Sequence, residues 1–426
     1  MSDFFKKFIH IFKIKDLRYK ILIVLGLLVV FRFAANIPMP DVDRGQLQAF
    51  FAQSQLLGFF NIFSGNALSQ FSVAMLGVAP YITATIVMQL LTLIFPGIKE
   101  MYYEGGETGR AKFNQISRIL TVPLAALQAF GFLMFLKSQN VLVFANSFHI
   151  LRDVIIAITG SMFLMWLGEL ITEQKIGNGV SLLIFSGIVA GFPSILGRAR
   201  LSYAPTDLPL YLAMVIVAVL VILGVVIINE AERRIPISYA KRVRGTKIYG
   251  GSTTYLPLKI NQAGVIPIIF ALSILLFPGI LGSFIQATGL ESLKGVANFF
   301  TAIFNNLTIR SLLYFALTFI FTYFYTAITF EPHEIAKNLQ KNGAFVPGIR
   351  PGNETGSYLS RVVNRTTLAG ATFLGLIAVL PFIIQGATNL QFLAIGGTSI
   401  LIVVAVALET IKQLNTQLQI REYEEF

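Results

Sequence analysis

Very few residues of this chain have the type and spacing that catalysis or metal binding requires. The 426 residues include no cysteine, which excludes disulfides, thiolate metal ligands and cysteine nucleophiles. The three histidines, His10, His149 and His333, form no HExxH pattern, and the chain has no GxxxxGK phosphate-binding loop. We interpret the run from Glu331 to Glu334 as a solvated loop and not as a metal site. We therefore predict that the chain is not an enzyme and needs no cofactor or metal.

Charged side chains are almost absent from the apolar stretches that could cross a membrane. Arg32, Glu169 and Glu409 lie near the ends of such stretches, where they can reach the membrane surface. A charge in the middle of a span costs about 2.5–3.5 kcal/mol on insertion scales, so pumps keep one there only for function. The spans contain neither a proton-relay chain nor an acidic cluster for sodium. A coupled secondary transporter is therefore disfavoured.

The elements that hold these residues follow from hydropathy. Hydrophobic residues make up 55% of the chain and charged residues 13%, against about 25% charged residues in soluble domains. A spanning helix needs about 20 mostly apolar residues, and ten stretches meet that need. Their approximate bounds are 20–37, 76–95, 119–136, 154–171, 179–197, 210–229, 260–281, 309–330, 366–386 and 392–411. We predict an all-α polytopic membrane protein with ten transmembrane helices.

The distribution of basic residues orients these spans. Of the 33 Lys and Arg residues, 25 fall at the termini and in alternate loops, and 8 fall in the intervening loops. Basic loops stay in the cytoplasm, so we predict that both termini are cytoplasmic. We interpret the basic start and the first apolar stretch as a retained span, and a cleaved signal peptide is the weaker alternative.

The stretch 56–75 is uncharged but is interrupted by small and polar residues, so it is a poor full span. As a span it would also reverse the placement of every later basic loop. We predict instead a short re-entrant helix that enters the membrane and returns on the same side. Such broken backbone is tolerated at membrane depth only beside protein or water, which implies a water-accessible cavity. A helix lying on the outer surface is the alternative.

Two predicted spans share a motif at both ends. Residues 77–80 read Gly-Val-Ala-Pro and 264–267 read Gly-Val-Ile-Pro, while 95–97 and 277–279 both read Phe-Pro-Gly. The spans are five apart, so a second five-helix unit would be inverted relative to the first, and such repeats indicate a central pathway. We expect the proline near the start of each span to kink or loosen it. Coincidence is the alternative.

Other residues inside the spans could line such a pathway. Polar residues need partners or water in hydrocarbon, so the helices that carry them are expected to meet; ordinary hydrogen bonds between helices are the alternative. These polar residues are Thr83, Thr85, Gln128 and Asn261. Branched aliphatic side chains could form a dry constriction that blocks ions, with lipid contact or core packing as the alternative. The candidates are Val78, Ile82, Val180, Ile184, Ile269 and Ile402.

Two long cytoplasmic loops, 230–259 and 331–365, carry basic residues. Loops of this length usually have a function, and we interpret both as docking surfaces for an acidic protein face or RNA phosphate. Topology signals alone are the alternative. In the second loop, Pro347 and Pro351 stiffen the backbone around Arg350. The first loop has seven basic residues, of which we assign six to docking: Arg233, Arg234, Lys241, Arg242, Arg244 and Lys247.

With these loops included, the chain resembles the SecY family, the large subunits of the bacterial protein-translocation channel. The matching stretches are 61–90, 177–179, 239–242, 256–270, 343–352 and 396–399, in order along nearly the whole chain. The resemblance implies two inverted five-helix halves around an hourglass pore. The halves are 1–200, with spans 1–5 and a plug at 58–71, and 201–426, with spans 6–10 and both docking loops.

The same resemblance implies roles for individual residues. The plug that seals the channel from outside includes Asn61, Phe63, Ser64, Gly65, Asn66 and Leu68. The six branched aliphatic residues match the pore ring, and Arg242 and Arg350 match positions used for the ATPase SecA or the ribosome. The lateral gate, where spans two and three face spans seven and eight, includes Thr83, Thr85, Gln128, Asn261 and Pro267.

The implied function is passage of unfolded secretory polypeptides across the bacterial cytoplasmic (inner) membrane, with lateral release of transmembrane segments into it. The implied partners are SecE and SecG, SecA, the ribosome, signal sequences of unfolded preproteins, and membrane lipid. The rival hypothesis is a small-molecule permease built on inverted repeats. A permease needs a polar or charged site at the midplane, and the sequence shows none.

Overall fold

The computed structural model describes residues 14–40, 64, 67–68, 70–138, 141–142, 146–201, 208–239, 242–244, 247–249, 253–275, 285, 295, 299, 306–388 and 391–424. The helices are α1 (Lys15–Ala34), α2 (Ala79–Ile94), α3 (Pro96–Tyr103), α4 (Gly106–Ser138), α5 (Ser147–Glu173), α6 (Gly179–Leu201), α7 (Leu208–Glu230), α8 (Ile266–Leu275), α9 (Leu307–Thr329), α10 (Pro332–Lys341), α11 (Asn353–Thr388) and α12 (Gln391–Glu424). The strands are β1 (Glu232–Tyr239), β2 (Arg242–Arg244), β3 (Lys247–Tyr249), β4 (Thr253–Lys259) and β5 (Ala344–Phe345).

Each of the ten predicted spans coincides with a helix, leaving α3 and α10 as short connecting helices. Six of the described helices are long and apolar enough to cross a membrane, α2 with α3 would make a seventh, and α6 and α8 contain shorter apolar segments. Some helices exceed their predicted bounds: α4 begins at Gly106 rather than near 119, and α12 continues to Glu424 rather than ending near 411. Hydropathy detects only the apolar part of a helix, and these extensions are polar.

The repeated motifs at the start of spans two and seven adopt the same backbone conformation. Gly77 and Gly264 have φ angles of 58° and 63°, in the left-handed region that glycine tolerates without strain. In each copy the helix begins two residues after that glycine, at Ala79 in α2 and at Ile266 in α8. The repeated sequence motif therefore corresponds to a repeated local structure, a turn followed directly by the start of a helix.

The prolines of these motifs do not kink the helices as we expected. Pro80 lies in the first turn of α2, and Pro267 is the second residue of α8. Amide groups in the first turn have no partner within the helix, so a proline there removes no hydrogen bond. The expected kink is wrong for this reason. A sharp bend of 111° occurs instead between α2 and α3, at Pro96, while its repeat at 277–279 lies outside the described residues.

A β ribbon that we did not predict occupies the loop 230–259. Strand β1 pairs antiparallel with β4, from Glu232 opposite Lys259 to Ser238 opposite Thr253, and β2 with β3 continue the same hairpin. Strand β5 pairs with the other edge of β1, which joins the two basic loops in one sheet of order β4-β1-β5. The sheet covers a small core of its own, made of Ile235, Leu258, Val346, Leu359, Val362 and Val363.

The helices pack mainly within two sets, α1–α6 (the N-terminal set) and α7–α12 (the C-terminal set). In the N-terminal set α5 contacts α1, α2, α4 and α6, and in the C-terminal set α11 contacts α9, α10 and α12. Leaving α8 aside, the most extensive contact between the sets is that of α6 with α12. The sets are therefore joined firmly along one side.

The close approach of α5 and α6 depends on a glycine. The backbone amide of Gly179 donates to Thr172 Oγ1 at 2.9 Å, and Asn178 Oδ1 accepts from the amide of Ser181 at 3.1 Å, which caps the start of α6. A Cβ atom at position 179 would collide with the carbonyl group of Gly168 in α5. Only a glycine lets the two backbones approach this closely.

We expect Gly179→Ala to destabilise the protein by about 1–3 kcal/mol, the usual cost of inserting a carbon atom into a packed core. Thermal unfolding in detergent would report this as a lower midpoint. Gly26→Ala in α1 is the matched control, since a Cβ there meets nothing within 4 Å. Equal midpoints for the two variants would show that α5 and α6 do not pack as described.

Candidate functional site

The six branched aliphatic residues singled out in the sequence lie together in the hydrophobic core. Val78, Ile82, Ile184, Ile269 and Ile402 are each at most 8% exposed, and Val180 packs against the same cluster. They come from α6, α8 and α12 and from the start of α2, so both helix sets contribute. We call these six residues the apolar ring.

Val265 is a further candidate for the apolar ring that the sequence analysis missed. Val265 is 6% exposed and belongs to the same cluster as the apolar ring. It precedes α8 as Val78 precedes α2, and the amide of Ile269 donates to its carbonyl as that of Ile82 donates to the carbonyl of Val78. The repeated motif at 77–80 and 264–267 aligns Val265 with Val78, so Val265 could have been identified from the sequence.

A cavity of about 440 Å³ opens beside the apolar ring. Ile82, Val180, Ile184 and Ile269 line its apolar part. Ile266, Phe270 and Tyr325 add further apolar and aromatic surface from the C-terminal set. The polar side chains on the wall come from α2, α4, α5 and the start of α6, and are Tyr81, Thr85, Gln89, Asn114, Arg118, Glu169, Thr172, Glu173, Asn178 and Ser181. The cavity is large enough for several water molecules and offers polar partners to them. None of its described lining residues belongs to the stretch 56–75.

A second cavity of about 420 Å³ shares lining residues with the first, among them Asn178, Ile269 and Tyr325. Its wall is mainly from the C-terminal set and includes Asn229, Lys259, Asn261, Gln262, Glu409 and Lys412. Buried side-chain oxygens without a protein partner line both spaces: Gln89 Oε1, Asn261 Oδ1 and Gln262 Oε1. The two cavities adjoin each other at their shared residues, and Ile269 of the apolar ring lines both. We call the two cavities together the polar vestibule.

Ion pairs within each set fix the polar wall of the vestibule. Arg118 of α4 pairs with Glu169 of α5, and Lys412 of α12 pairs with Glu230 of α7 at 2.7 Å. Lys412 also donates to the carbonyl of Asn229 at 3.3 Å. Both pairs are partly exposed, so each contributes about 0–1 kcal/mol and mainly positions its side chains.

Most of the described residues of the stretch 56–75 are buried, while Gln70 is exposed and Val73 is half-buried. This burial fits a re-entrant segment better than a helix lying on the outer surface. Residues 64, 67–68 and 70–78 form turns, so the helix we expected is absent from this part. The reason is that its peptide groups pair with another segment: Met39 donates to the carbonyl of Phe71 at 2.8 Å, and Val73 to that of Ile37 at 2.9 Å. Ala67 reaches the same cluster as the apolar ring.

The expected plug residues are only partly visible. Ser64 and Leu68 are buried, and the amide of Leu68 donates to Ser64 Oγ at 3.0 Å. Asn61, Phe63, Gly65 and Asn66 lie outside the described residues.

The polar residues expected at the gate fall into two groups. Gln128 Nε2 of α4 donates to Thr83 Oγ1 of α2 at 3.3 Å, and Thr85 lines the first cavity. Asn261 Nδ2 donates instead to Asn229 Oδ1 at 2.8 Å and to the carbonyl of Gly264 at 3.1 Å. Among the described residues, no hydrogen bond joins the Thr83–Gln128 group to the Asn261–Asn229 group.

The basic residues of the two loops lie on one sheet and its extension. Arg233 and Arg234 are exposed on β1, Arg242, Arg244 and Lys247 lie on β2 and β3, and Lys241 lies outside the described residues. Arg350 is exposed on the turn between β5 and α11, and its carbonyl accepts from Thr355 Oγ1 at 2.8 Å. Because β5 pairs with β1, the two sets of basic residues share one rigid base.

Comparisons with known proteins agree with this geometry. The family model described as SecY matches residues 72–411. The protein translocase subunit SecY of Thermotoga maritima is 42% identical over 98% of this chain and 97% of its own length, and that of Streptomyces coelicolor is 43% identical over 98% and 99%. That of Vibrio cholerae is 42% identical over 96% and 94%.

Solved structures share the fold. One described as a protein-conducting channel matches with a TM-score of 0.64 at 19% identity, over 93% of this chain and 91% of that chain. Sec61 in the canine ribosome–channel complex from the endoplasmic reticulum matches with a TM-score of 0.62 at 18% identity, over 93% and 91%. The ten-helix channel architecture expected from the sequence is confirmed by this likeness.

Proposed function

Because this chain belongs to the SecY family, whose members are channel subunits and not enzymes, we propose a specific route for polypeptide through it. The chain is a protein-conducting channel of the membrane. In our proposal, unfolded secretory polypeptide enters the polar vestibule, passes the apolar ring between the two helix sets, and leaves on the other side.

The gathering of the apolar ring at the vestibule is the observation that carries this proposal. Branched aliphatic side chains offer no hydrogen bonds, so they exclude ions by dewetting while making no sequence-specific contact with a passing chain. The polar vestibule supplies water and amide groups, which suit a solvated polypeptide. A route lined in this way accepts chains of any sequence and remains closed to ions when it is empty.

Sideways release of apolar segments completes the proposal. The halves are 1–200 and 201–426, and the exit lies where α2 and α4 face α8 and α9. The firm contact of α6 with α12 supports a hinge on the opposite side. Residues 58–71 would act as the plug, which is supported by the contact of Ala67 with the cluster of the apolar ring.

The exposed basic residues supply a docking surface for cytoplasmic partners. Sec61 in the canine ribosome–channel complex shares the fold of this chain. We propose that the ribbon and Arg350 bind SecA or the ribosome, that SecE and SecG complete the complex, and that signal sequences of preproteins and membrane lipid meet at the exit. The basic loops support a bacterial cytoplasmic membrane location with both termini inside the cell.

A cysteine at Ile402 should form a crosslink with a cysteine in a stalled, partly translocated precursor. The chain has no native cysteine, so any crosslink reports the engineered pair. A cysteine at Leu220, which is 61% exposed on α7, is the control and should not react with the precursor. A crosslink at Leu220 but not at Ile402 would place the polypeptide outside the proposed route.

Replacing the six residues of the apolar ring with glycine should raise the ion conductance of the idle channel in planar bilayers, because the dry constriction is lost. Six glycines on the exposed face of α7 serve as the control for loss of helix stability. Unchanged conductance in a folded ring variant would mean that the seal lies elsewhere.

Arg350→Glu should slow SecA-driven precursor transport by about tenfold or more, since reversing a charge at an interface slows association. Insertion and folding should be unaffected because Arg350 is exposed. Arg361→Glu, another exposed arginine at the start of α11, is the matched control and should have a smaller effect. Transport at the normal rate by the Arg350 variant would remove this residue from the docking surface.

A further inference from the structure

A hydrogen bond connects the two helix sets at one end of the proposed exit. The hydroxyl of Tyr103, the last residue of α3, donates to the carbonyl oxygen of Ile328 in α9 at 2.8 Å, although 225 positions separate them in sequence. Tyr103 belongs to the N-terminal set and Ile328 to the C-terminal set. The bond therefore closes across the boundary that would have to open for sideways release.

The carbonyl of Ile328 is available because of the sequence that follows it. Helix α9 ends at Thr329, and the last carbonyls of a helix have no partner within it. The amide of Phe330 donates to the carbonyl of Thr326, which satisfies that group. In a continuing helix the carbonyl of Ile328 would accept a hydrogen bond from the amide of residue 332, but Pro332 has no N–H to donate. Tyr103 supplies the missing donor from the other set.

Tyr103 is held in place by its own set. Pro96 starts α3 after the 111° bend, which turns this short helix away from the axis of α2. The ring of Tyr102 contacts that of Tyr103 edge-on at 5.0 Å between centroids, and Tyr102 in turn contacts Phe113 of α4 at 4.8 Å. Any movement of α2, α3 and α4 would therefore carry the Tyr103 hydroxyl away from α9.

The surroundings of this bond are loosely filled. A third cavity of about 540 Å³ lies between the end of α2, α3, α9 and α11. Leu93, Lys99, Phe324, Ala327 and Asn364 are among its lining residues, and Tyr103 itself is on the wall. Since little packing surrounds the bond, its loss is not compensated by other contacts, and its strength bears directly on how readily the sets separate.

We propose that Tyr103 is a positioning residue for sideways release, whose hydroxyl holds α3 against the end of α9 while the exit is closed. The proposal rests on the exit described under the proposed function and adds a residue that biases its closed state. One neutral hydrogen bond changes an equilibrium constant by about two- to tenfold, so the contact biases the exit toward closure without locking it.

The test is Tyr103→Phe, which removes only the hydroxyl and keeps the ring contact with Tyr102. The channel is reconstituted with its partner subunits, and the measurement is the ratio of inserted to translocated product for segments of graded hydrophobicity. For a segment whose hydrophobicity makes insertion and translocation about equally frequent, we expect this ratio to rise by about two- to tenfold. The matched control is Tyr102→Phe on the same helix, which also removes one tyrosine hydroxyl. The described contacts of Tyr102 are those of its ring with Tyr103 and Phe113, and no hydrogen bond of its hydroxyl is found among the described residues. An equal rise in both variants would overturn the proposal.

A distance measurement gives an independent readout. Spin labels on cysteines at Leu93 and Ala327, both exposed and on the wall of the third cavity, report the separation of α2 and α9. Tyr103→Phe should increase the fraction of long distances, and Tyr102→Phe should not. An unchanged distribution with an unchanged insertion ratio overturns the role of Tyr103, while a precursor crosslink at Ile402 still supports the proposed route. If the channel with a cysteine at Ile402 and an intact Tyr103 forms no crosslink with the precursor, both the proposed route and the role of Tyr103 are overturned.

Discussion

The structure depends on where backbone groups can be left unpaired inside a membrane. Every peptide group at that depth must be bonded within the protein or face water, so a helix that starts there needs protein partners or a cavity beside its first turn. Among the described helices, three have a glycine at or just before their first residue and place their first turns at the vestibule: α2 after Gly77, α6 at Gly179 and α8 after Gly264. Five of the six residues in the apolar ring lie at or just inside these starts, and Ile402 of the continuous helix α12 completes it. The constriction and the polar vestibule are therefore two consequences of one arrangement.

The division of contacts explains how such a site can open. Within each set, long helices pack side by side and ion pairs such as Arg118 with Glu169 fix their relative positions. Between the sets, α6 and α12 meet closely, while the vestibule and the third cavity occupy much of the remaining boundary. A boundary that is partly hollow costs less to separate than a packed core, because few dispersion contacts are lost. Motion between the sets is thereby favoured over motion within them.

The sequence predicted the spans well because hydropathy measures what lipid requires of them. It did not predict where some helices begin and end, as at Gly106 and Glu424, since polar helical turns carry no hydropathy signal. The β ribbon was missed because its alternating pattern is confined to Ile235 and Ile237 on β1. The members of the apolar ring were chosen one position at a time, whereas finding Val265 required aligning the two copies of the repeated motif residue by residue. The pairing of Asn261 with Asn229 depends on how far α7 extends, which no local pattern encodes.

The basic surface and the exit are connected by a short and continuous path. Strand β5 pairs with β1 and contacts α10, and α10 packs on α11. Only Phe330 and Glu331 separate α9 from α10, so the carbonyl that accepts the Tyr103 hydrogen bond lies about one turn from the start of α10, the helix that precedes β5. A load on the ribbon would reach α10 through the sheet before it reached any helix of the N-terminal set. Because Pro332 both begins α10 and leaves the carbonyl of Ile328 without a helical partner, the same residue that links the docking surface to α9 also creates the need for Tyr103.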